Sequence, residues 1–223
     1  MLNPQHLVFP ATEPRRPWDA RLARRMVAPL IDSWVTPNHL TTLRLGVGIA
    51  AAAAFTPGTY GWSNLAALLL VLSNFLDHTD GELARMSGKT SRFGHLYDLA
   101  CDAAVTIFLF AAIGVGVGAK GGVDLSVPPA ILGAVAGIAI ASIFFLRMRI
   151  EESHGKAATR QASLGGFETE DVLYLLPLAT LSNALTPLLV AAAICAPVYA
   201  IWVVIDYRRV MRRDRRMAAG ISR

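Results

Sequence analysis

Cysteine is scarce: Cys101 and Cys195 are the only two in 223 residues, and both lie inside apolar runs. No disulfide framework is expected, and the pair says nothing about redox compartment. Charge is also thin. Asp, Glu, Lys and Arg make up 17% of the chain, against roughly 25% in an ordinary soluble domain. Histidines are few, and His78, His95 and His154 are too scattered to form a metal set, which argues against zinc. Residues 1–35 have no short apolar core before a cleavage site, only a polar, Pro-bearing stretch with Arg15, Arg16, Arg21, Arg24 and Arg25. No secretory signal peptide is therefore expected.

What fills the chain instead is apolar: 54% hydrophobic residues and a mean hydropathy of +0.45. These residues fall into long runs rich in Ala, Leu, Val, Ile and Gly, and a run of about 20 residues crosses a ~30 Å hydrocarbon core as a helix. The expected fold is all-α: a polytopic membrane protein of six transmembrane helices preceded by an amphipathic interfacial helix. The interfacial helix is expected over 17–35, where Leu22, Met26, Leu30 and Trp34 share helical spacing and arginines take the other side. Thr36-Pro37-Asn38 break it. Spans are expected at about 39–56, 63–86, 94–118, 127–151, 170–184 and 186–207, the fifth being short and holding Pro177. The corresponding domains are 1–38 (cytoplasmic, with the interfacial helix), 39–207 (membrane domain) and 208–223 (basic cytoplasmic tail).

Charge distribution supports that count. With six spans, only Lys120 of the 21 Lys and Arg residues falls in the loops opposite the termini. By the positive-inside rule both termini are cytoplasmic, and the basic tail anchors on a lipid surface. The net charge of +5 is thus read as a membrane feature, and no nucleic-acid partner is expected.

Charges inside the apolar runs carry more information. Asp77, Asp80, Glu82 and Arg85 close the second span, and Asp98 and Asp102 open the third. A charged side chain at the centre of a membrane helix costs at least ~2.5 kcal/mol on insertion scales, so such residues mark function. Asp77 and Asp80 are three apart and Asp98 and Asp102 four apart, so each pair shares one helix face. The turn over Met86–Phe93 brings the two helices together antiparallel, and the four carboxylates can converge. With Arg85 as the local cation, divalent metal is the natural neutraliser. Hard oxygen ligands favour Mg²⁺ or Mn²⁺, and two ions about 4 Å apart suit displacement at phosphorus. Gly81 and Gly94 permit close packing and the approach of a nucleotide to the backbone.

Residues 77–102, DHTDGELARMSGKTSRFGHLYDLACD, resemble the signature D-x2-D-G-x2-A-R-x8-G-x3-D-x3-D of the CDP-alcohol phosphotransferase (CDP-alcohol phosphatidyltransferase) family, at every fixed position and spacing. TPNHLTTLR (Thr36–Arg44) is similar to the family's P-N-x-L-T-x-x-R element before the first span. The resemblance implies that Asp77, Asp80 and Asp98 ligate a pair of Mg²⁺ or Mn²⁺ ions, with Asp102 completing the second site and acting as general base. It implies a nucleotide site made by Asn38, Asp77, Gly81, Ala84, Arg85 and Ser91. It also implies a CMP-forming phosphotransferase, and by analogy a homodimer in the lipid bilayer of a bacterial or archaeal inner membrane.

Substrates are less legible. Arg147 and Arg149, in FLRMRIEE, resemble the R-A-R element of members with phosphorylated acceptors, and read equally as positive-inside anchors. Arg44 is an acceptor candidate because it lies inside an otherwise apolar span; Lys156 and Arg160 are weaker ones. CDP-diacylglycerol is the expected donor and a small polar alcohol or its phosphate the expected acceptor. DGELAR, with Glu82, also resembles branches using a water-soluble donor such as CDP-inositol, and Gly165–Pro177 departs from the acceptor loop of inositol-phosphate or glycerol-phosphate enzymes. A transporter would use intramembrane acids but would not need Gly81, Ala84 and Gly94 at these spacings. A non-catalytic scaffold is expected to have lost ligands that this chain keeps.

Overall fold

Helix starts are written in short local signals. The computed structural model describes residues 18–121, 125–154 and 176–220. After helix α1 (Trp18–Val27) and a 3-10 turn (Ala28–Leu30), α2 (Pro37–Phe55) begins with Pro37 in its first turn. There the missing N–H costs nothing. The backbone N–H of Thr36 donates to Nδ1 of His39 at 3.2 Å, so a histidine takes the part usually played by Glu in a capping box. Helix α3 (Tyr60–Ser87) ends at Gly88, whose φ of +67° is cheap only for glycine and whose N–H returns to the carbonyl of Ala84 at 3.1 Å. Ser91 then caps α4 (Arg92–Lys120) by accepting the N–H of Gly94 at 2.9 Å. Helices α5 (Pro129–His154), α6 (Leu176–Leu181) and α7 (Leu185–Gly220) complete the described chain.

Helix α2 packs against both α3 and α4, α4 against α5, and α5 against α7, while α1 lies along α3. Helices α3 and α4 do not pack directly on one another; α2 runs between them. The turn over Met86–Phe93 therefore does not close the site by itself, as its shortness implied. Small residues make the arrangement possible. Ala51, Ala52, Ala66 and Ala67 line the α2–α3 contact in the same core as Phe55, Leu70, Val105 and Leu109. A Cβ on Gly48 would stand 2.7 Å from a methyl of Val105. On α4 and α5, a Cβ on Gly133 would collide with the carbonyl oxygen of Phe110, and one on Gly114 with that of Pro129. In a bilayer, lipid is as apolar as leucine, so such close fits, not burial from water, hold helices together. The α2–α3 turn is as tight: Gly58 has φ +67° and abuts the Gly116 carbonyl of α4.

Three described helices, Arg92–Lys120, Pro129–Ile150 and Leu185–Arg212, are long and apolar enough to cross a membrane. Together with the family reported below, they make the chain an integral membrane protein. Helices α2 and α3 coincide with the expected first and second spans. Their hydropathy is lowered by Asn38, His39 and Arg44 in α2 and by Asn64, Ser73, Asn74 and Asp77 in α3, several of which face the interior. Of the expected fifth span, 176–181 is helical as α6, and 170–175 lie outside the described residues, as do Lys156 and Arg160. In α1, Ala23 and Val27 are buried whereas Leu22 and Met26 are exposed, as is Trp34 beyond it. The apolar face expected for an interfacial helix is thus split between α3 and the outside.

Candidate active site

The site forms where the carboxyl end of α3 and the amino ends of α2 and α4 meet. Asp77 leaves α3 about three turns before its last residue, Ser87, and Asp98 and Asp102 leave the same face of α4. One carboxylate oxygen from each of these three lies within 4.8 Å of the others. At their focus sits a guanidinium. Nη1 of Arg44 donates to Asp77 Oδ1 at 2.5 Å and also to Asp102 Oδ1, and Nη2 donates to Asp98 Oδ1 at 3.0 Å. Nη2 also lies 3.3 Å from the Asp98 carbonyl. Arg44, placed among acceptor candidates by the sequence, bridges α3 and α4 from α2. Ser73 ties α3 to the α2 backbone at the same level, its hydroxyl donating to the Arg44 carbonyl at 3.1 Å.

Asp80 stands apart from this trio. It is 5% exposed and accepts the Thr41 hydroxyl at 2.7 Å. Its carboxylate faces α2 from the neighbouring turn, where a buried acid without such a donor would be costly. Of the four aspartates, then, the structure brings three to one point and holds the fourth beside them on Thr41.

The nucleotide candidates divide in two groups. Asn38 and Ser91 both reach Gly94: a Cβ there would lie 2.8 Å from Asn38 Oδ1 and 3.1 Å from Ser91 Oγ. Gly94 is therefore required for close approach of α2 to the start of α4. Ser91 serves as helix cap, and Asn38 as neighbour of that cap. Gly81, Ala84 and Arg85 line the outer side of α3. Arg85 is exposed and folds back so that Nη2 donates to Glu82 Oε1 at 2.9 Å, while its guanidinium lies 3.4 Å from where a Gly81 Cβ would stand. Glu82 is 3% exposed and is held by Arg85. Arg24, Ile31, Glu82, Arg85 and Met86 border an open cleft of about 340 Å³ between α1 and α3. Arg147 stacks over the Tyr199 ring of α7 at 5.9 Å, and Arg149 is exposed near the same end of α5.

Sequence reasoning missed Thr41 and Ser73. Thr41 lies within TPNHLTTLR, and Ser73 lies four residues before Asp77 on the same helix face, so each had a spacing signal. It also missed Lys89, whose Nζ donates to the carbonyls of Ile31, Ser33 and Val35 at 3.2, 2.8 and 3.4 Å. That ammonium pins the α1–α2 linker to the α3–α4 turn. Thr42 and Tyr97 add a second tie, 3.0 Å between their hydroxyl oxygens.

A hard divalent ion fits this donor set. Three carboxylates with one guanidinium leave surplus negative charge, each close pair of like charges costing about 4 kcal/mol at 4 Å and an effective dielectric of 20. Their oxygens are separated by distances one ion can span, and the guanidinium between them already shows that the focus takes a cation.

This arrangement defines a carboxylate-lined membrane site built on one contiguous motif. The family model of the CDP-alcohol phosphatidyltransferases matches residues 34–205, and the chain belongs to that family. Individual relatives match over shorter stretches. Cholinephosphotransferase 1 of Danio rerio is 36% identical over 87 residues, covering 35% of this chain and 23% of the relative. Phosphatidylinositol phosphate synthase of Corynebacterium glutamicum is 39% identical over 85 residues, 38% and 37% of the two chains. Archaetidylinositol phosphate synthase of Pyrococcus horikoshii is 33% identical over 87 residues, 39% and 45% respectively. The matched stretch thus spans less than half of each of these relatives.

Proposed function

We propose that the protein is a CMP-forming phosphotransferase that moves a phospho-alcohol group from a CDP-alcohol to the hydroxyl of a small polar alcohol or its phosphate. The observation that carries this reading is the convergence of Asp77, Asp98 and Asp102, from two helices, on one cation-sized focus beside Asp80. Those four are the acidic positions of the family motif.

Asp77, Asp80 and Asp98 would ligate a pair of Mg²⁺ or Mn²⁺ ions, with Asp102 completing the second site; bound there, the ions would neutralise the diphosphate and the charge left on CMP. Asp102, whose side chain is 48% exposed, is open to an incoming alcohol and takes its proton as general base. The oxygen so freed forms a bond to the phosphorus distal to cytidine, and the bond from that phosphorus to the CMP oxygen breaks. Gly81, Ala84 and Arg85 offer the nucleotide a small-residue surface with an arginine beside it, while Asn38 and Ser91 fix the spacing of α2 and α4 around Gly94. Helices α2 and α3 and the expected fifth span, of which α6 is the described part, would join the three apolar helices to make six spans, with the site at the cytoplasmic face and both termini on that side. A homodimer follows from family analogy.

CDP-diacylglycerol is the favoured donor, since exposed apolar residues flank the site at Trp34, Phe93 and Leu96, where acyl chains would lie. The relatives' names include both cholinephosphotransferases and inositol-phosphate lipid synthases, so the acceptor is left to experiment. The test is CMP release by purified protein with Mn²⁺ and CDP-diacylglycerol, screened against inositol phosphate, glycerol phosphate, inositol, serine and glycerol. Release that depends on one acceptor names the product. Release only with a water-soluble donor such as CDP-inositol moves the reading to that branch, and silence with every pair defeats it.

A further inference from the structure

We infer that Arg44 is a built-in counter-cation, which holds the carboxylates of Asp77, Asp98 and Asp102 together until divalent metal displaces it. The inference rests on the metal-dependent reading above and adds a residue with its own role. The three acids that can gather around one ion are the same three that pair with Arg44. A guanidinium and a metal ion therefore compete for the same oxygens.

The geometry gives each cation its own approach. Arg44 is 4% exposed and comes from below, on α2, its backbone carbonyl fixed by Ser73 and the neighbouring turn seated against Val105 by Gly48. The carboxylates are open on the other side, with 37, 36 and 48% of the side chains of Asp77, Asp98 and Asp102 exposed. An ion entering from that face meets oxygens already gathered at one focus. Nε of Arg44 is buried with no hydrogen-bond partner among the described residues, so the guanidinium is held by charge and not by a fully satisfied network. A side chain built as a permanent brace would be expected to satisfy every donor. Once released, the guanidinium stays tethered beside the ions, where an anionic donor brings its phosphates.

Competition has a direction that can be measured without turnover. Ligands that bind only the folded protein stabilise it by an amount that grows with the logarithm of their concentration over Kd, so removing the internal competitor enlarges the effect of metal. Mn²⁺ binding to detergent-purified protein is read from loss of the free-ion electron paramagnetic resonance signal, alongside thermal unfolding with and without Mn²⁺. For Arg44→Gln, Mn²⁺ is expected to bind about tenfold tighter than to wild type. Its unfolding temperature falls without metal and returns towards wild type at saturating Mn²⁺. Arg44→Lys, which keeps one charge but loses the fork, shifts in the same direction by less, and carries the test should the glutamine variant not fold without metal. Mn²⁺ affinity that is unchanged or weaker in both variants overturns the inference, because Arg44 would then assist the metal or ignore it. Asp98→Asn separates the two levels. If wild type binds no Mn²⁺, or binds it equally after Asp98→Asn, the metal reading itself falls; if Asp98→Asn abolishes binding and the Arg44 variants bind no tighter, only the counter-cation role falls.

Discussion

Thr41→Val removes one hydroxyl, which lies 2.7 Å from Asp80 Oδ2 and 3.2 Å from the Pro37 carbonyl oxygen. The substitution keeps the branched shape against α3 and removes the hydroxyl that donates to Asp80 Oδ2 at 2.7 Å, at a residue only 5% exposed. A hydrogen bond to a charged group contributes about 1.5–3 kcal/mol, and a buried acceptor that loses its donor bears the full cost of its desolvation. That corresponds to a roughly ten- to hundredfold change in an equilibrium constant. The loss should fall on the step in which the Asp80 carboxylate must be ionised and aimed, which is metal binding. The Mn²⁺ concentration for half-maximal CMP release is therefore expected to rise by roughly that factor, with a smaller change in the rate at saturating Mn²⁺. Thr41→Ser restores the hydroxyl and should recover most of the affinity. A Val variant with the wild-type Mn²⁺ titration would refute the reasoning, as would a Ser variant impaired to the same degree.

Two further substitutions test the scaffold around the site. Lys89→Met keeps the length of the side chain and loses three donors to the carbonyls of Ile31, Ser33 and Val35; because this pin is exposed, a loss of about 1 kcal/mol is expected. Hydrogen exchange over 31–36 should quicken while α4 and α5 stay protected, and unchanged exchange there would remove the pin from the account. Gly58→Ala places a Cβ in the left-handed region, which costs about 1–2 kcal/mol by itself, and drives it into the Gly116 carbonyl of α4. The unfolding temperature should drop clearly, whereas Gly61→Ala, with nothing within 4 Å, should be nearly silent; equal effects at the two positions would contradict the close approach.

The helices and the acids were legible in the sequence for different reasons. Hydropathy located α4, α5 and α7 because their residues are apolar on almost every face. It located α2 and α3 less sharply, since these helices spend positions on Thr41, Arg44, Ser73 and Asp80, which face one another and not lipid. Spacing along one helix was enough to pair Asp98 with Asp102; the Glu82–Arg85 pair, three apart on α3, was not read from it. It was not enough to place Arg44, because its role depends on α2 lying between α3 and α4, a fact of tertiary packing set by Gly48 and the small residues around it. Asp80 illustrates the same point: three residues from Asp77 in sequence, it turns to a different partner because Thr41 stands opposite it.

The central claim, that these aspartates run a phosphotransfer, is tested most directly by comparing wild type with Asp102→Asn for CMP release from CDP-diacylglycerol in the presence of Mn²⁺ and the best acceptor. A general base accounts for about 10²- to 10⁴-fold in rate. The account predicts acceptor-dependent release in wild type, a loss of at least that order in the variant, and CDP binding largely retained. Normal release by Asp102→Asn, or none by wild type with any donor and acceptor, would contradict it.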